Sequence, residues 1–356
     1  MATLKSHSAI IFSQQIEMEL EKIFQSYHTR KIFLLTERTP EKFCLPLVSS
    51  IIGRYSIPML VIEGGEISKS IRTVEKVWQF LSENGADRKS LLVNMGGGML
   101  TDLGGFAASC FKRGIEFINL PTTLLAQVDA SLGGKTGINF NGLKNEIGVF
   151  NDPKTVIINT NFLKTIDDQN FKSGFAEMIK HGFIKDPEHL DQLRQFDFGQ
   201  IDLKKLELII ARSVSIKEWH VHNDPTEKGI RKALNFGHTA GHAFESFALH
   251  QNHPILHGYA VAYGMITELY LSSKISGLAK EQAQDAALWL KSIYGRFPIS
   301  KDDYNSLYQL MTHDKKNEAG RINFTLLHSY GHAVINQDCS RALIEEALDF
   351  FRSINA

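Results

Sequence analysis

The sequence predicts an α/β domain with a parallel sheet, followed by a mostly α-helical domain. Up to about residue 165, short apolar runs rich in branched residues alternate with stretches of helical spacing. Beyond that point the strand pattern stops and helical periodicity continues. A chain of 356 residues also exceeds the length at which one core keeps growing. We therefore predict two domains, residues 1–165 and 166–356.

The predicted strands of the first domain are short apolar runs bounded by turn or charged residues. They lie at 31–36, 59–63, 91–95, 116–120 and 155–159. Helices are predicted between them, one opening at Thr39-Pro40-Glu41 and one over 70–84, closed by Gly85. This alternation predicts a parallel sheet with right-handed crossovers.

The second domain is predicted to consist of helices separated by Gly, Pro, Asn and Asp. Periodic apolar positions mark them at 175–184, 203–219, 233–249, 258–275 and 280–294.

Composition excludes several classes of protein. With 39 basic and 39 acidic residues the formal charge is zero, so we expect neither nucleic-acid nor membrane binding. The three cysteines, Cys44, Cys110 and Cys339, are scattered, which argues against a disulfide framework or a thiolate zinc site. No signal peptide and no long apolar segment is evident. We expect a soluble, cytoplasmic protein.

The stretch 121–145, PTTLLAQVDASLGGKTGINFNGLKN, is the most unusual of the chain. It combines turn glycines with Asp129, Lys135, Lys144 and Asn145, a mixture that suits a loop gripping phosphate. It is not a P-loop, because that motif would require glycine at position 129. A glycine-rich connector with solvated lysines is the alternative.

Gly96-Gly97-Gly98 follows the third predicted strand and precedes Asp102 and a predicted helix over 103–110. A glycine-rich turn from a strand into a helix presents backbone N–H groups and the positive end of the helix dipole, which favour a pyrophosphate. The G-x-G-x-x-G fingerprint is absent, so a plain tight turn remains the alternative.

His238 and His242 are four residues apart and share a helix face, a spacing that can present imidazoles to a metal. Such pairs also occur by chance or as hydrogen-bonded core residues. Glu177 and His257 could complete a catalytic zinc site of one carboxylate and two or three histidines. Three other histidines compete for that role: His181, His250 and His253.

Taken together, these motifs resemble the dehydroquinate synthases, members of the sugar-phosphate cyclase superfamily. The resemblance runs from about Gly65 to Lys316. It includes the charged turn at the end of that stretch, which would otherwise be expected only to face solvent. Its motifs are Gly65-Glu66-Ile67-Ser68-Lys69, Gly96-Gly97-Gly98 with Asp102, Lys112-Arg113-Gly114, 121–145, 175–182, 234–239 with Gly241-His242, His257-Gly258, and Asp314-Lys315-Lys316.

The resemblance implies a Rossmann-like α/β domain that binds NAD and a helical domain that binds a divalent metal, Zn²⁺ or Co²⁺. The implied NAD-binding residues are Glu66, Lys69, Gly97, Gly98, Asp102, Thr122, Thr123, Lys144, Phe162, Leu163, Lys164 and Thr165. The implied metal ligands are Glu177, His238 and His257. The implied substrate contacts are Asp129, Lys135, Asn145, Lys180, Lys217, Arg231, Asn235, His242 and one of Lys315 and Lys316.

The resemblance also implies the reaction and the assembly. Members of the family convert 3-deoxy-D-arabino-heptulosonate 7-phosphate to 3-dehydroquinate and phosphate in the shikimate pathway of aromatic amino acid biosynthesis, with NAD reduced and reoxidised in one turnover. Arg113 matches an arginine that reaches the phosphate from a partner subunit, which implies a homodimer.

Some positions depart from the family pattern. Thr101 and Leu143 stand where glycine is usual, Gly64 stands where Asp is frequent, and Asp224-Pro225-Thr226 interrupts a usually acidic run. We expect these to affect loop conformation more than chemistry.

Two other functions compete with this prediction. A sister cyclase of the valiolone type acts on sugar phosphates without a carboxylate, for which Lys217 and Arg231 would be superfluous. A metal-dependent polyol dehydrogenase would share the two-domain layout but would not need the phosphate-gripping residues, and it would release NADH.

Overall fold

The computed structural model describes residues 8–27, 30–141, 143–312 and 322–355. The chain divides into two compact units. The first comprises the described residues up to Asp167 together with Ile201–Val214, and the second comprises Asp168–Gln200 and the described residues from Ser215 onward. The assignment of NAD binding to 1–165 and of metal and substrate binding to 166–356 stays a prediction.

The first unit contains a parallel sheet and a hairpin. Its strands are β1 Ala9–Phe12, β2 Ile32–Glu37, β3 Met59–Ile62, β4 Leu91–Gly96, β5 Glu116–Pro121, β6 Lys135–Phe140, β7 Leu143–Phe150 and β8 Thr155–Ile158. Six strands form one sheet in the order β1-β8-β5-β4-β2-β3, and every neighbouring pair is parallel. The hairpin is formed by β6 and β7, which pair antiparallel.

Helices of the first unit connect the strands. They are α1 Ile16–Ser26, α2 Arg38–Phe43, α3 Ser49–Arg54, α4 Ile71–Glu83 and α5 Gly98–Cys110. Alternate residues of β2 enter two separate apolar clusters, Ile32 and Leu34 in one, Phe33 and Leu35 in the other. Because successive side chains of a strand point to opposite faces, both faces of the sheet are covered, which explains the unbroken apolar run.

The predicted α/β fold is confirmed, and all five predicted strands are present. Two details differ. Residues 121–145 are not a single loop, because Ala126–Ala130 forms a π-helical turn and Lys135 opens β6. The helix predicted at 103–110 begins at Gly98, so the glycine turn itself enters the first turn of α5.

The second unit is mostly helical, as predicted. Its elements are α6 Asp168–Lys185, α7 Pro187–Arg194, part of α8 Leu203–Asn223, α9 His238–His250, α10 His257–Leu271, α11 Lys280–Tyr294, α12 Tyr304–Thr312, β9 Asn323–Ser329, β10 His332–Asp338 and α13 Arg341–Asn355. The helix predicted over 233–249 begins at His238, because Ile230–Asn235 forms a 3₁₀ turn and Gly237 is left-handed.

The expectation that no strand follows residue 165 is wrong. Strands β9 and β10 form an antiparallel hairpin around Gly331, which has a positive φ. Phe324, Leu326 and Leu327 of β9 are fully buried, so this strand belongs to the core of the unit. Among the described helices, none combines the length and the apolar composition that crossing a bilayer would require.

Candidate functional site

The sheet of the first unit has a reversal of strand order. The chain proceeds from β2 to β3 on one side and from β4 to β5 on the other. In open α/β sheets, ligands bind outside the carboxyl ends of the strands at such a reversal. Here those ends are Glu37 and Gly96, and Gly96 begins the predicted pyrophosphate turn.

The glycine turn leads directly into α5. Gly97 is the N-cap of this helix and supplies no side-chain cap. A Cβ atom on Gly98 would lie 2.8 Å from the Cβ of Ala130, so glycine permits a close approach there. Thr101, the departure from the family pattern, is buried in the first turn, and its hydroxyl donates to the Gly98 carbonyl at 3.1 Å. The turn can therefore accept threonine without exposing it to a ligand.

Glu37 is a candidate that the sequence prediction missed. Its Oε1 accepts the N–H of Gly97 at 3.1 Å. Burial raises the pKa of this carboxyl more than the hydrogen bond lowers it. An acidic side chain beside the glycine turn stands where dinucleotide-binding folds hold the ribose hydroxyls. The available signal was an acidic residue closing an apolar strand.

Three predicted residues meet in a polar network. The buried ammonium of Lys69 pairs with Asp102 Oδ2 at 2.6 Å and also donates to Asn145 Oδ1. Asn139 links the network to the hairpin, because its side-chain oxygen accepts the Asn145 N–H at 2.9 Å and its own N–H donates to the Lys69 carbonyl. Asn145 has a positive φ, and Leu143, where glycine is usual, is accommodated in β7.

Other predicted NAD-binding residues of the first unit lie near the glycine turn or near the polar network of Lys69. The Thr122 N–H donates to the Gly96 carbonyl at 2.9 Å, and a Cβ on Gly97 would lie 3.3 Å from Thr123 Cγ2. Glu66 accepts from the Asn139 amide at 2.7 Å. Lys144 lies in β7, one residue before Asn145.

Phe162–Thr165 falls in the 3₁₀ turn Thr160–Thr165 after β8. The side chain of Phe162 packs in the core, and Leu163 is also buried, whereas Lys164 and Thr165 are exposed. Contacts of the first two with a ligand would therefore come from backbone atoms.

The other predicted residues of the first unit have these positions. Asp129 is half-buried in the π-helical turn, and Lys135 is exposed at the start of β6. Arg113 is exposed after α5, in a turn where both Lys112 and Arg113 have positive φ.

In the second unit, the predicted metal ligands converge. Glu177 projects from α6, His238 is the first residue of α9, and His257 is the first residue of α10. The Nε2 atoms of His238 and His257 each lie 3.6 Å from Glu177 Oε1. The three ligand atoms all lie within 4.8 Å of one another, in the described part of the chain.

This geometry fits a divalent metal. In a tetrahedral site with bonds of about 2.0–2.1 Å, ligand atoms are roughly 3.3–3.4 Å apart, close to the 3.6 Å that separates Glu177 Oε1 from each imidazole. One carboxylate and two imidazoles leave a position open, as in catalytic zinc sites. His242, one helical turn beyond His238, is half-buried near both ligands, with its ring centre 5.4 Å from that of His238 and 6.0 Å from that of His257.

The second nitrogen of each imidazole also has a partner. His238 Nδ1 lies 3.2 Å from the Phe236 carbonyl, and His257 Nδ1 lies 3.5 Å from Glu245 Oε2. Partners of this kind fix the orientation of metal-ligating histidines. Glu245, which is buried in α9, was not identified from the sequence, because a glutamate at helical spacing usually faces solvent.

The electrostatics of this cluster favour a cation. Burial lowers the pKa of His257, but Glu177 and Glu245 outweigh it and raise the pKa to about 10. Glu177 also forms an ion pair with Lys180, one turn further along α6, and both side chains are almost completely buried. The predicted ligand and the predicted substrate-binding lysine are thus held in one charge-balanced pair.

Asp224 organises the loop that leads into Arg231 and Asn235, two of the predicted substrate contacts. Its carboxylate accepts the N–H groups of Lys228, Gly229 and Arg231 at 3.0, 2.7 and 3.1 Å. Burial would raise the pKa of Asp224, but these three hydrogen bonds outweigh it and lower the pKa. Arg231 is buried and donates to the Pro225 carbonyl at 2.8 Å.

Asn235 ends the 3₁₀ turn, and its amide donates to Glu227 at 3.0 Å. Lys217 is buried in α8. Lys315 and Lys316 lie outside the described residues. Of the competing histidines, His250 and His253 belong to no cluster of potential ligands in the described part of the chain, and His181 is buried in α6.

Comparisons with known proteins agree with this arrangement. The family described as 3-dehydroquinate synthase N-terminal matches residues 59–173, and the one described as 3-dehydroquinate synthase C-terminal matches 174–317. A 3-dehydroquinate synthase of Parabacteroides distasonis is 48% identical over 347 residues, which cover 98% of each chain.

Two solved structures share the fold. The 2-epi-5-epi-valiolone synthase of Streptomyces hygroscopicus, with NAD⁺ and Zn²⁺ bound, has a TM-score of 0.85 at 24% identity, covering 99% of each chain. A 2-deoxy-scyllo-inosose synthase complexed with carbaglucose-6-phosphate, NAD⁺ and Co²⁺ has a TM-score of 0.82 at 24% identity, covering 97% of this chain and 96% of that one.

The fold is therefore the one that these two cyclases share. Among the proteins with this fold, the chain belongs to the 3-dehydroquinate synthase family. The predicted family is confirmed, and the matches support the corresponding activity.

Proposed function

We propose that the protein converts 3-deoxy-D-arabino-heptulosonate 7-phosphate to 3-dehydroquinate and phosphate, as a phosphate-eliminating lyase that uses NAD catalytically together with Zn²⁺ or Co²⁺. The observation that carries the proposal is the cluster of Glu177, His238 and His257 in a chain of the 3-dehydroquinate synthase family.

The metal would be held by Glu177, His238 and His257. A bound divalent ion lowers the pKa of a coordinated hydroxyl and polarises the carbonyl that forms from it. Glu245 and the Phe236 carbonyl would orient the two imidazoles through their Nδ1 atoms. Lys180, ion-paired with Glu177, would place a positive charge beside the substrate oxygens.

NAD would be held in the first unit and would supply the reversible hydride transfer. The glycine turn with Gly97 and Gly98 would receive the pyrophosphate at the positive end of α5. Glu37 would accept hydrogen bonds from the adenosine ribose. The other predicted contacts are Glu66, Lys69, Asp102, Thr122, Thr123, Lys144, Phe162, Leu163, Lys164 and Thr165.

The substrate carries two anionic groups, and the chain offers basic and amide side chains for both. Lys217 and Arg231 suit the carboxylate, because arginine can bind it through two parallel hydrogen bonds. The phosphate would be bound by Arg113, Lys135, Asn145, Asn235 and His242. Asp129, Lys180 and one of Lys315 and Lys316 complete the proposed contacts.

We further propose that the protein acts as a homodimer in which Arg113 serves the partner's site. Support comes from its exposed position in a turn with two positive φ values, which displays the side chain away from the core. A cytoplasmic location is consistent with the three free cysteines.

The test is a coupled phosphate-release assay with purified protein, Zn²⁺ and stoichiometric NAD. We expect phosphate release from the heptulosonate phosphate without accumulation of NADH. Equal or faster release from a heptulose 7-phosphate lacking the carboxylate would instead indicate a sister cyclase. Steady accumulation of NADH would indicate a dehydrogenase, and no release from either substrate would overturn the proposal.

A further inference from the structure

A buried carboxylate lies at the start of the helix that carries His238. Glu268 belongs to α10 and is completely buried. Its Oε2 accepts the N–H of Gly237 at 2.6 Å, and its Oε1 accepts the N–H of Ala240 at 3.1 Å. These two donors stand on either side of His238 in the sequence, so one carboxylate holds both ends of the short segment that presents this imidazole.

The start of α9 needs such a partner. The first amides of a helix have no acceptor within the helix, and the N-cap side chain usually provides one. Here the N-cap is Gly237, which has no side chain and a left-handed φ of 79°. Glu268 therefore provides from another helix the cap that α9 lacks in its own sequence.

The packing at this point leaves little freedom. A Cβ atom on Gly264 would lie 1.9 Å from the Gly237 carbonyl oxygen, and one on Gly241 would lie 2.9 Å from the Ala260 carbonyl oxygen. The first turn of α9 thus approaches α10 backbone to backbone. Because α10 begins with His257, Glu268 joins the helix that provides one proposed ligand to the helix that provides another.

The orientation of His238 depends on the same backbone. Its Nδ1 lies 3.2 Å from the carbonyl of Phe236, the residue before Gly237, and its Nε2 faces Glu177. A shift of Gly237 would move both the imidazole and the carbonyl that fixes the ring. Small displacements of this kind change metal affinity, because ligand atoms must meet at bond distances.

We infer that Glu268 is a positioning residue for the metal centre, holding the Gly237 and Ala240 amides so that His238 presents Nε2 toward Glu177 and His257. This inference rests on the proposed metal-binding function. Substitution of Glu268 should therefore alter the ligand geometry of the bound metal, although the side chain itself coordinates nothing.

The test uses full-length protein stripped of metal and titrated with Co²⁺, whose visible absorption reports ligand geometry. One variant is Glu268→Gln, which keeps the shape of the side chain but places an NH₂ group against one of the two backbone N–H donors. The other is Glu268→Asp, which keeps the charge but is too short to reach both amides. The matched control is Thr267→Val, because Thr267 is equally buried in α10 and its hydroxyl donates within that helix, to the Tyr263 carbonyl.

We expect the control to reproduce the wild-type Co²⁺ spectrum and affinity. Both Glu268 variants should show an altered spectrum and an affinity about 10- to 100-fold lower, the effect typical of losing an outer partner of a metal ligand. If only one of them folds, as judged by circular dichroism, the same comparison applies to that variant.

Unchanged spectrum and affinity in a Glu268 variant, even with a lower melting temperature, would show that Glu268 merely stabilises the fold and would overturn the inference alone. If the wild-type protein bound neither Co²⁺ nor Zn²⁺, the proposed metal function and this inference would fall together.

Discussion

The two candidate binding regions of this protein use different chemical groups. In the first unit, the glycine turn offers backbone N–H groups, and the surrounding side chains, such as Lys69 and Asp102, are paired with one another. In the second unit, three helices bring the side-chain atoms of Glu177, His238 and His257 to one buried place.

This difference predicts different responses to substitution. A dinucleotide held by many backbone and side-chain contacts loses affinity gradually as single contacts are removed. A metal held by three atoms loses its site when one ligand is removed. Substitution of a metal ligand should therefore have a larger effect than substitution of a residue around the glycine turn.

Replacing His238 by alanine should abolish metal binding and lower phosphate release by about 10³-fold or more, because the several kcal/mol contributed by the metal are lost. Metal content measured by mass spectrometry and the phosphate assay check this result. His250→Ala is the matched control, since His250 is exposed at the end of the same helix. Full zinc occupancy in His238→Ala would refute the ligand assignment.

Replacing Glu177 by alanine should remove the metal and also destabilise the metal-free protein. Lys180 is 1% exposed and would lose its ion pair. An uncompensated buried charge costs about 3–5 kcal/mol. Urea unfolding of the metal-free protein measures the loss, and adding Lys180→Met to Glu177→Ala should restore most of it. A double variant no more stable than the single one would show that the ion pair is not the cause.

In the first unit, replacing Lys69 by methionine should raise the KM for NAD about 10- to 100-fold, because hydrogen bonds to a charged group contribute about 1.5–3 kcal/mol. Metal content should remain that of the wild type. Lys76→Met, an exposed lysine on α4, is the control. Loss of zinc in Lys69→Met would contradict the assignment of Lys69 to NAD binding alone.

The sequence predicted the parallel sheet well because its strands are buried on both faces. Such strands read as short unbroken apolar runs, as in 32–35 and 91–93, which their length and flanking residues distinguish from helices. The hairpins β6–β7 and β9–β10 lack this signal. All eight residues of β7 are exposed, and β10 is at most half-buried, so neither strand reads as an apolar run.

The site was predictable where residues form a local pattern in the sequence and unpredictable where their role depends on long-range contacts. The spacing of His238 and His242 pointed to a metal site and the consecutive glycines to a pyrophosphate turn, whereas the ligand set of Glu177, His238 and His257 was implied by the family resemblance. Glu37, Glu245 and Glu268 look like ordinary strand or helix residues in the sequence, and only the fold brings them to Gly97, His257 and Gly237. Tertiary contacts of this kind leave no local pattern.

A smaller effect should follow from replacing Glu37 by glutamine. A carboxylate that accepts hydrogen bonds from the ribose hydroxyls also repels a 2′-phosphate. Its removal should therefore lower the preference for NAD over NADP about tenfold, which corresponds to about 1.4 kcal/mol of binding free energy. Competition between the two dinucleotides measures this ratio, with Glu75→Gln of α4 as an exposed control. An unchanged ratio would remove Glu37 from the proposed ribose site.

The smallest expected effect concerns Asp224, whose lowered pKa stabilises the folded protein only while the carboxyl is ionised. The contribution is therefore complete above the ordinary pKa of 3.8 and is lost as the pH falls through the lower folded value. Asp224→Asn should lower the free energy of unfolding by about 1–2 kcal/mol at pH 7, because hydrogen bonds to a charged acceptor are weakened. The difference should shrink below pH 4.

Urea unfolding at several pH values measures this difference, with Asp197→Asn as a control because Asp197 is exposed and accepts only a local N–H. Because Asp224 holds the backbone of Arg231 and not a metal ligand, the variant should keep its full metal content while the KM for substrate rises. A pH-independent difference in stability would show that the ionised carboxylate does not organise this loop. A loss of metal would show that the Asp224 loop also supports the metal ligands. Metal binding in the second unit would then depend on distributed contacts as well as on the three ligand atoms.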